Sequence, residues 1–427
     1  MSALREDRPT RRQILRALAV APLALSKSDD AFLEDLSHRC FRFFYDQADV
    51  ATGLVLDRSV ADGSRTFWAA NVSNIAASGF GMTALCIGAH RRWIPASAAR
   101  QRILTTLHFL AEHTYNAAGW YWHFMDATTG EQHWNSEISS IDTALLMAGV
   151  LTARAYFAGD RELVKLATHL YERIDFPWML NRSPNLLCHG WRDGKFLKYR
   201  WDAYCEAGIL YLLAIGSPTH PIAPSSWYAW ARPKVEYGGF KFISGGPLFT
   251  HQYSQAWVDY RGLHDAAPSN LDYFANSIVA TKANRAFCID LASKFPKSYS
   301  SDVWGLTASD GAHGYYAWGD IPASRDIDGT VVPCAPGGSL MFLPDLCIRA
   351  LQTMQERFGK TIWGRYGFCD AFNPTENWVD DDIIAIDQGI ILLSAENLRT
   401  GNVWRWFMKN PEIAKAMKLA KFQRNTG

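Results

Sequence analysis

The fold of this chain is best predicted from the stretch Trp201-Asp-Ala-Tyr-Cys-Glu-Ala-Gly-Ile-Leu-Tyr-Leu-Leu-Ala-Ile-Gly-Ser-Pro-Thr-His220. From Tyr204 to Ile215 nearly every side chain is apolar or small. Because such a segment has no polar face, we expect a helix that is buried on all sides. We expect Asp202 to cap its start, and Gly216 and Pro218 to end it. A protein built around such a helix needs further helices to cover it.

Glu206 is the single carboxylate inside this apolar run. An ionised carboxylate is costly to bury, so a group of this kind is paired, hydrogen-bonded or kept protonated with a raised pKa. A carboxyl group that stays protonated near neutral pH can serve as a general acid. Alternatively, Glu206 only complements the positive end of the helix dipole. The stretch alone leaves both interpretations open.

The rest of the chain alternates wholly apolar and amphipathic helical segments. Helices are predicted at residues 31–48, 71–90, 97–114, 138–156, 161–173, 204–215, 271–290, 344–358, 383–397 and 411–422. Strand signals are weak and scattered, which disfavours a parallel-sheet fold. The pattern predicts an all-α fold, a double-layered α/α barrel in which inner helices form the core. Because no linker divides them, residues 27–427 are predicted to form one domain.

The overall composition narrows the function further. The 427 residues carry a net charge of +1, so no basic surface argues for nucleic acid as a partner. Aromatic residues are abundant, with 17 Trp, 17 Tyr and 23 Phe. Flat aromatic rings suit sugar rings as well as protein cores, so an aromatic-lined cleft for an oligosaccharide or polysaccharide is a reasonable expectation. The sequence does not give the oligomeric state.

The N-terminus has the pattern of a twin-arginine export signal. Arg11 and Arg12 precede the short apolar run Ala17–Leu25, and Ala24-Leu25-Ser26 offers small residues for a signal peptidase. The run is too short to stay in a bilayer as a permanent helix. The sequence therefore predicts that residues 1–26 are removed and that the mature protein, without a membrane anchor, is periplasmic or secreted. An ordinary basic tail is the alternative.

The eight cysteines do not indicate a metal centre. Five lie in apolar runs, where a free thiol behaves as a small hydrophobe: Cys40, Cys86, Cys205, Cys288 and Cys347. No Cys-x-x-Cys or Cys/His spacing is typical of zinc, and we expect no metal and no cofactor. A disulfide among Cys188, Cys334 and Cys369 is possible from the sequence.

Acidic residues recur at the starts of the predicted buried helices. Glu137 and Asp142 precede one apolar run, and Asp387 precedes another. The inner helices of an α/α barrel start at one end, so these acids and Glu206 are expected to share a pocket. Glycoside hydrolysis needs one protonated carboxyl group and one ionised carboxylate. The alternatives are N-caps for Asp142 and Asp387, and a dipole partner for Glu137.

Two loop-rich stretches, 227–262 and 298–338, are long enough to carry function. In them His251, Gln252 and Tyr253 are candidates for binding sugar hydroxyls, and Trp304 and Asp310 lie on a predicted turn. The alternating aromatic segment 120–126 adds Trp122 as a further substrate contact. Phosphate-loop, nucleophile-elbow, zincin and dinucleotide motifs are absent from the sequence, which excludes the corresponding enzyme classes.

Several motifs together resemble one known family. They are Gly53-Leu-Val-Leu-Asp-Arg-Ser59, Ser140-Ile-Asp-Thr-Ala-Leu-Leu146, Glu206-Ala207, Gly216-Ser-Pro-Thr-His-Pro221, Gly246-Pro-Leu-Phe-Thr-His-Gln-Tyr-Ser254, Trp304-Gly-Leu-Thr-Ala-Ser-Asp-Gly311, Asp370-Ala-Phe-Asn-Pro374, Ile386-Asp-Gln-Gly389 and Arg399-Thr-Gly401. From about Phe32 to the C-terminus, the chain resembles the bacterial glucoamylase-like family, which includes the endo-β-1,2-glucanases of glycoside hydrolase family 144.

This resemblance implies an (α/α)6 barrel that hydrolyses linear β-1,2-glucan to short sophoro-oligosaccharides with inversion and without metal. It also implies that Glu206 is the general acid, that Asp387 is the base acting through water, and that Glu137 lies in the same pocket. Asn373 is a substrate contact on the same grounds. Cys205 departs from the Ser or Asn that family members often have. Relatives include exo-acting and transglycosylating enzymes, so the resemblance does not fix the product.

Two other functions remain open at this point. A polysaccharide lyase would use Tyr253 or His251 as its base and Arg261 near a uronate, although nothing in the sequence marks an acidic-sugar site. A non-catalytic periplasmic glucan-binding protein would use only the aromatic cleft. Both remain alternatives to the hydrolase.

Overall fold

The structure is a computed structural model that describes residues 25–321 and 326–425. Its α-helices are α1 (Lys27–Asp46), α2 (Ile75–His90), α3 (Ala96–Glu112), α4 (Ser140–Tyr156), α5 (Arg161–Glu172), α6 (Phe176–Leu180), α7 (Gly208–Gly216), α8 (Tyr253–Trp257), α9 (Tyr273–Leu291), α10 (Cys334–Gly338), α11 (Pro344–Ile362), α12 (Ala385–Thr400), α13 (Asn402–Phe407) and α14 (Pro411–Leu419). Every helix predicted from the sequence is present, with its ends shifted by a few residues. The predicted export signal falls almost wholly on residues 1–24, outside the described part.

Helices α2, α4, α7, α10 and α12 are inner elements, because nearly all of their residues are buried. Helices α2 and α4 approach each other unusually closely at Gly79 and Gly149. A Cβ atom on Gly149 would lie 2.0 Å from the carbonyl oxygen of Gly79, so only glycine permits this contact. Helix α12 packs against α2, and α7 packs against α4. The helix-rich fold and the buried inner layer confirm the predicted all-α class.

The amphipathic helices cover this inner layer, as their hydrophobic patterns predict. Helix α1 packs on α2 and α12, α3 on α2, α5 on α4, and α14 on α7. In α5, for example, the buried residues Leu163, Ala167 and Leu170 recur at helical spacing along one face. No helix in the described ranges is both long enough and apolar enough to cross a membrane.

Short strands lie between many of the helices. They are β1 (Arg58–Val60), β2 (Val72–Asn74), β3 (Phe124–Asp126), β4 (Ile138–Ser139), β5 (Gly190–Arg192), β6 (Lys195–Phe196), β7 (Lys234–Tyr237), β8 (Phe240–Ile243), β9 (Leu263–His264), β10 (Ala308–Gly311), β11 (Gly314–Ala317), β12 (Trp363–Gly364), β13 (Gly367–Phe368), β14 (Phe372–Asn373), β15 (Trp378–Val379), β16 (Asp382–Ile384) and β17 (Gln423–Arg424). Strands β2, β4 and β16 lead directly into the inner helices α2, α4 and α12. They pair antiparallel with β3, β5 and β1, respectively. These pairings bring the starts of the inner helices together.

The stretch around Glu206 differs from its prediction at its N-terminal end. Helix α7 begins at Gly208 rather than Tyr204, and Asp202 does not cap it. Ser254 Oγ donates to the backbone oxygen of Glu206 and accepts from the N–H of Ile209 at 2.8 Å. Because Ser254 takes these two backbone groups, residues 206 and 207 form a non-helical turn instead of a first helical turn. Glu206 therefore lies in this turn, two residues before the helix. The predicted end at Gly216 is correct.

All eight cysteines are free thiols, and seven of them are buried. Cys188, Cys334 and Cys369, for which the sequence permits a disulfide, are therefore unpaired in the structure. Cys205 shares the turn of Glu206 and is half-buried.

Candidate active site

Two of the predicted acids lie in the first turns of inner helices. Asp142 and Asp387 are each the third residue of their helices, α4 and α12. Neither is the N-cap that the alternative interpretation required: Ser139 caps α4, and Ile384 occupies the cap position of α12. An acid at the third position complements the positive helix end and can still turn its second oxygen toward a ligand.

Glu206 lies in a half-buried position in the turn before α7. Burial raises the pKa of its carboxyl group to about 7, and the nearby charge of Asp142 acts in the same direction. Its own backbone N–H is the hydrogen-bond donor that opposes this rise. Glu206 therefore keeps its proton to a higher pH than an ordinary glutamate does, as a general acid must.

Glu137 and Asp142 are joined by a histidine that the sequence analysis did not select. His123 Nδ1 lies 3.1 Å from Glu137 Oε1, and its Nε2 lies 3.6 Å from Asp142 Oδ2. Burial disfavours the charged form of His123, but the two carboxylates outweigh it and raise its pKa to about 9. Burial likewise works against the charge of Glu137, yet its hydrogen bond with His123 lowers the pKa of Glu137. The three groups form a charged triad beside Glu206.

Asp387 has a different environment, a carboxyl pair. Its side chain is 6% exposed and meets the side chains of Asp370 and Cys334, both of which donate to it. Asp370 is itself 1% exposed, and its Oδ2 accepts from the backbone N–H of Asp310 at 2.7 Å. Burial and the charge of Asp387 hold the pKa of Asp370 well above its ordinary value. Asp370 is thus the protonated member of the pair, and Asp387 is the acceptor.

The balance of these contacts sets the charge state of Asp387. Burial raises the pKa of Asp387, and the charges of Asp310 and Asp57 add to the rise, while the hydrogen bonds from Asp370 and Cys334 lower it. The result is a carboxyl group with a raised pKa that is nevertheless ionised more readily than Asp370. Such a carboxylate can accept a proton from water.

Arg58 neutralises the remaining acids next to this pair. Its guanidinium lies 3.1 Å from Asp57, 2.6 Å from Asp310 and 3.3 Å from Asp382. The antiparallel pairing of β1 with β16, which sets Val60 opposite Asp382, brings these residues together. The predicted substrate contact Asp310 is therefore held in an ion-pair network at the site, with its side chain 21% exposed.

Tyr253 links the two acids. Its side chain is 6% exposed and lies edge-on to Phe80, with ring centroids 5.7 Å apart. Burial, followed by the charges of Asp387 and Glu206 among others, holds the pKa of Tyr253 well above its ordinary value. Tyr253 therefore lies within electrostatic reach of both Glu206 and Asp387.

Besides Tyr253, four predicted substrate contacts are buried. Gln252, Trp304 and Asn373 are 0% exposed, and His251 is 2% exposed. Gln252 donates to the carbonyl of Ala335 and so holds α10, and the other three fill the interior, His251 beside Tyr204. Burial lowers the pKa of His251 to about 3, so this histidine is neutral. Their role as substrate contacts stays a prediction, and the expectation that they face an open cleft does not match their burial.

Other aromatic side chains are at least partly exposed. The predicted contact Trp122 is partly exposed and stacks on Tyr115, with ring centroids 5.7 Å apart. Tyr199 and Trp201 contribute to a cavity of about 360 Å³ that also includes Tyr204, just before Glu206. Cys205, the chain neighbour of Glu206, also lines this cavity, whereas Glu206 itself does not.

Within residues 25–321 and 326–425, two groups of side chains each bring three possible metal ligands within 4.8 Å of one another. They are His123 with Glu137 and Asp142, and Asp310 with Asp380 and Asp382. In the first group the positive charge comes from the imidazolium of His123, whose pKa is raised to about 9. In the second group Arg58 supplies it. The acids are thus compensated by protein cations.

Comparison with known proteins identifies close relatives. A family model described as Glycoamylase matches residues 198–411. An exo beta-1,2-glucooligosaccharide sophorohydrolase (non-reducing end) of Parabacteroides distasonis is 30% identical over 432 residues, covering 92% of this chain and 58% of the relative. The chain therefore spans less than two thirds of the length of that curated relative.

Two solved structures are similar over nearly the whole chain. The endo-beta-1,2-glucanase from Chitinophaga pinensis, in complex with sophorotriose and glucose, has a TM-score of 0.86 and 30% identity and covers 94% of this chain and 99% of that one. A beta-1,2-glucanase from P. distasonis has a TM-score of 0.84 and 28% identity, covering 93% and 60%, respectively. Both likenesses extend well beyond the segment that the family model matches.

Proposed function

The chain belongs to the Glycoamylase family, and from that membership we propose that it is a glycoside hydrolase that cleaves β-1,2-glucan. The observation that carries the proposal is the pair of unlike carboxyl groups, Glu206 and Asp387, whose charges both act on Tyr253. The pKa of Glu206 is raised to about 7 by burial, whereas Asp387 accepts hydrogen bonds from Asp370 and Cys334. One group is suited to give a proton and the other to take one.

In the proposed reaction, Glu206 gives its proton to the glycosidic oxygen as the bond from that oxygen to the anomeric carbon breaks. Asp387 takes a proton from a water molecule, and the oxygen of this water forms the new bond to the anomeric carbon from the opposite face. The products are two shorter glucan chains. One has a new reducing end with inverted configuration at its anomeric carbon, and the other has a free 2-hydroxyl group where the bond was broken. The proton on Asp387 then returns to Glu206 through solvent.

The linkage is proposed from the relatives. The β-1,2-glucanases of C. pinensis and P. distasonis and the P. distasonis sophorohydrolase all act on β-1,2-linked glucose chains, by their names. Short sophoro-oligosaccharides are the expected products of an endo-acting enzyme. Exo action or glycosyl transfer at the same two acids is the alternative, since one of these relatives is exo-acting.

The test is to incubate purified residues 27–427 with linear β-1,2-, β-1,3-, β-1,4- and α-1,4-glucans and to separate the products over time. A ladder of sophoro-oligosaccharides from β-1,2-glucan alone supports the endo-acting hydrolase. Disaccharide alone would support exo action. Binding of the glucan by calorimetry with no new reducing ends would contradict the enzyme and favour the glucan-binding alternative.

The lyase alternative loses its candidate bases. The pKa of Tyr253 is held well above its ordinary value by burial and by neighbouring carboxylates, and His251 is buried beside Tyr204. Arg261 pairs with Asp259 at 2.8 Å. These contacts do not favour abstraction of a proton next to a uronate.

For the architecture we propose the (α/α)6 toroid. The inner helices α7, α4, α2, α12 and α10 contact one another in that order. The segment of α8 completes the order, because Gln252 donates to Ala335 at the start of α10, and Ser254 accepts from Ile209 in α7. A crystal structure that left a gap between α8 and α7 would contradict a closed ring.

We further propose that residues 1–26 direct export and that residues 27–427 work as one domain in the periplasm or outside the cell. Helix α1 begins at Lys27, so cleavage after Ser26 would remove the capping serine but no helical residue. Replacing Arg11 and Arg12 together by lysine in the full chain should keep the protein in the cytoplasm of an expressing bacterium. Unchanged recovery in the periplasmic fraction would contradict the export signal.

A further inference from the structure

Two tryptophans expose their rings next to the acid site although large apolar side chains are normally covered. Trp68 is 56% exposed and Trp134 is 43% exposed. Their rings stack with centroids 5.5 Å apart and planes at 22°. Phe67, the neighbour of Trp68 in the chain, is 97% exposed. We call Trp68 and Trp134 the tryptophan pair.

Specific contacts hold the tryptophan pair in place. The guanidinium carbon of Arg58 lies 4.6 Å from the ring centroid of Trp68. The ring of Trp134 lies edge-on to Phe124, with centroids 5.0 Å apart. The backbone of Trp134 has φ +52°, in the left-handed region that bulky residues seldom adopt. Such strain persists where the surrounding structure imposes it, and it clusters at functional sites.

The tryptophan pair is connected to both halves of the acid site. Arg58, which lies against Trp68, also pairs with Asp310 next to the Asp370–Asp387 carboxyl pair. On the other side, Phe124 stacks on His123 with centroids 3.8 Å apart, and His123 contacts Glu137 and Asp142 beside Glu206. The pair therefore lies at the edge of the site, spanning from the side of the base to the side of the acid.

We propose that the tryptophan pair is a binding platform for a glucosyl ring of the substrate chain, away from the bond that is cleaved. The C–H groups on the face of a pyranose ring pack on an aromatic face, and an exposed indole offers the largest such face. The charged neighbours Arg58 and Asp310 provide partners for the sugar hydroxyls at its rim, which an apolar protein partner would not use. This platform rests on the proposed function only in that its ligand is a glucan chain.

The platform should act on long substrates more than on short ones. A disaccharide held at the two acids does not reach a second ring-binding position, whereas a long chain covers both. Truncating Trp68 should therefore raise the KM for polymer with a smaller change in kcat. The same truncation should leave the KM for the shortest cleaved oligosaccharide nearly unchanged, a split that a general structural defect would not produce.

The experiment compares Trp68→Ala, Trp134→Ala and the control Phe67→Ala, each in the Glu206→Gln background. Binding of long linear β-1,2-, β-1,3- and β-1,4-glucans and of sophorose is measured by calorimetry. We expect each tryptophan variant to bind the long β-1,2-glucan about tenfold more weakly, the loss of one stacked ring. Phe67→Ala should stay within about twofold, as an exposed substitution outside the pair. Trp68→Phe, which keeps a ring, should recover part of the affinity.

The outcomes separate the platform from the proposed function. If β-1,2-glucan binds and Trp68→Ala and Trp134→Ala leave that binding within about twofold of the parent, the platform is wrong and the hydrolase proposal stands. If another glucan binds instead and the tryptophan variants weaken it, the platform is supported and the proposed linkage is wrong. Equal weakening by Phe67→Ala would overturn the assignment to the tryptophan pair.

Discussion

The turn that carries Glu206 and the helix start that carries Asp387 present two carboxyl groups to one site in opposite ways. Glu206 has apolar neighbours and its own backbone N–H as a donor, and burial raises the pKa of its carboxyl group to about 7. Asp387 is also buried, but the side chains of Asp370 and Cys334 donate to it and oppose the rise. Burial raises the pKa of both carboxyl groups, and the side-chain donors that only Asp387 has oppose that rise.

The comparison also concerns the charges one layer further out. Beside Glu206, the positive charge of His123 compensates Glu137 and Asp142. Beside Asp387, Arg58 compensates Asp57, Asp310 and Asp382. Each half of the site has its own cation, so the two carboxyl groups can be altered separately. The predictions below use this separation.

The largest effect is expected from removing either reacting group. Glu206→Gln and Asp387→Asn should each lower kcat on β-1,2-glucan by roughly 10²–10⁴-fold, because general acid and general base catalysis contribute that much. Both variants should keep the parent circular dichroism spectrum and melting behaviour, since each replaces a carboxyl group by an amide of the same shape. Near-parent turnover would remove that residue from the mechanism.

A substrate with a better leaving group distinguishes the two roles. On an aryl sophoroside, whose phenolate departs without a proton, Glu206→Gln should recover much of the lost rate, whereas Asp387→Asn should not. Recovery by Asp387→Asn alone would reverse the assignment of acid and base.

The next effect concerns the carboxyl pair. Asp370→Ala removes the group that donates to Asp387 and should lower kcat/KM by roughly tenfold to a hundredfold, the cost of leaving a buried partner unpaired. It should also move the acid limb of the pH profile to higher pH, because losing the donor raises the pKa of Asp387 further. Asp370→Asn keeps an N–H donor and should restore most of the activity. If the alanine and asparagine variants behave alike, the hydrogen bond is not what matters.

How much of this comparison the sequence predicts differs between the two halves. Glu206 is predictable because a lone carboxylate inside an apolar run is conspicuous, and Asp387 because it begins another such run. The Asp370–Asp387 contact joins residues from different elements, and the Arg58 network depends on the pairing of β1 with β16, which joins the two ends of the chain. Local patterns carry no information about such pairings. The buried positions of Gln252 and Trp304 were missed for the same reason, since they are set by helices distant in the sequence.

A smaller effect is expected on the pH dependence of the parent enzyme and its charge variants. Activity should fall as pH rises through about 7, because Glu206 then loses the proton that it must donate. Activity should also fall as the pH is lowered, because Asp387 then becomes protonated. Since the pKa of Asp387 is raised, this fall should occur at a higher pH than for an ordinary aspartate. The measurement is kcat/KM against pH, which reports groups of the free enzyme.

Two variants should move the alkaline limb in opposite directions. Asp142→Asn removes a negative charge that helps to hold the proton on Glu206, so the limb should shift to lower pH. His123→Gln leaves the negative charges of Asp142 and Glu137 uncompensated, so the limb should shift to higher pH, in each case by about one unit or less. Shifts of the same sign would show that Glu206 does not respond to this triad.

The smallest effect concerns the two thiols, one near each acid. Cys334 donates to Asp387, so Cys334→Ala should lower kcat/KM about twofold to fivefold and move the acid limb slightly to higher pH, because a thiol is a weak donor. Cys334→Ser, whose hydroxyl also donates, should return both values toward those of the parent. Burial and the charge of Glu206 hold the pKa of Cys205 well above its ordinary value, so this thiol stays neutral and Cys205→Ala should leave the alkaline limb in place. The opposite result would be a shifted alkaline limb in Cys205→Ala and an unchanged pH profile in Cys334→Ala. It would mean that a thiol hydrogen bond acts on Glu206 and not on Asp387.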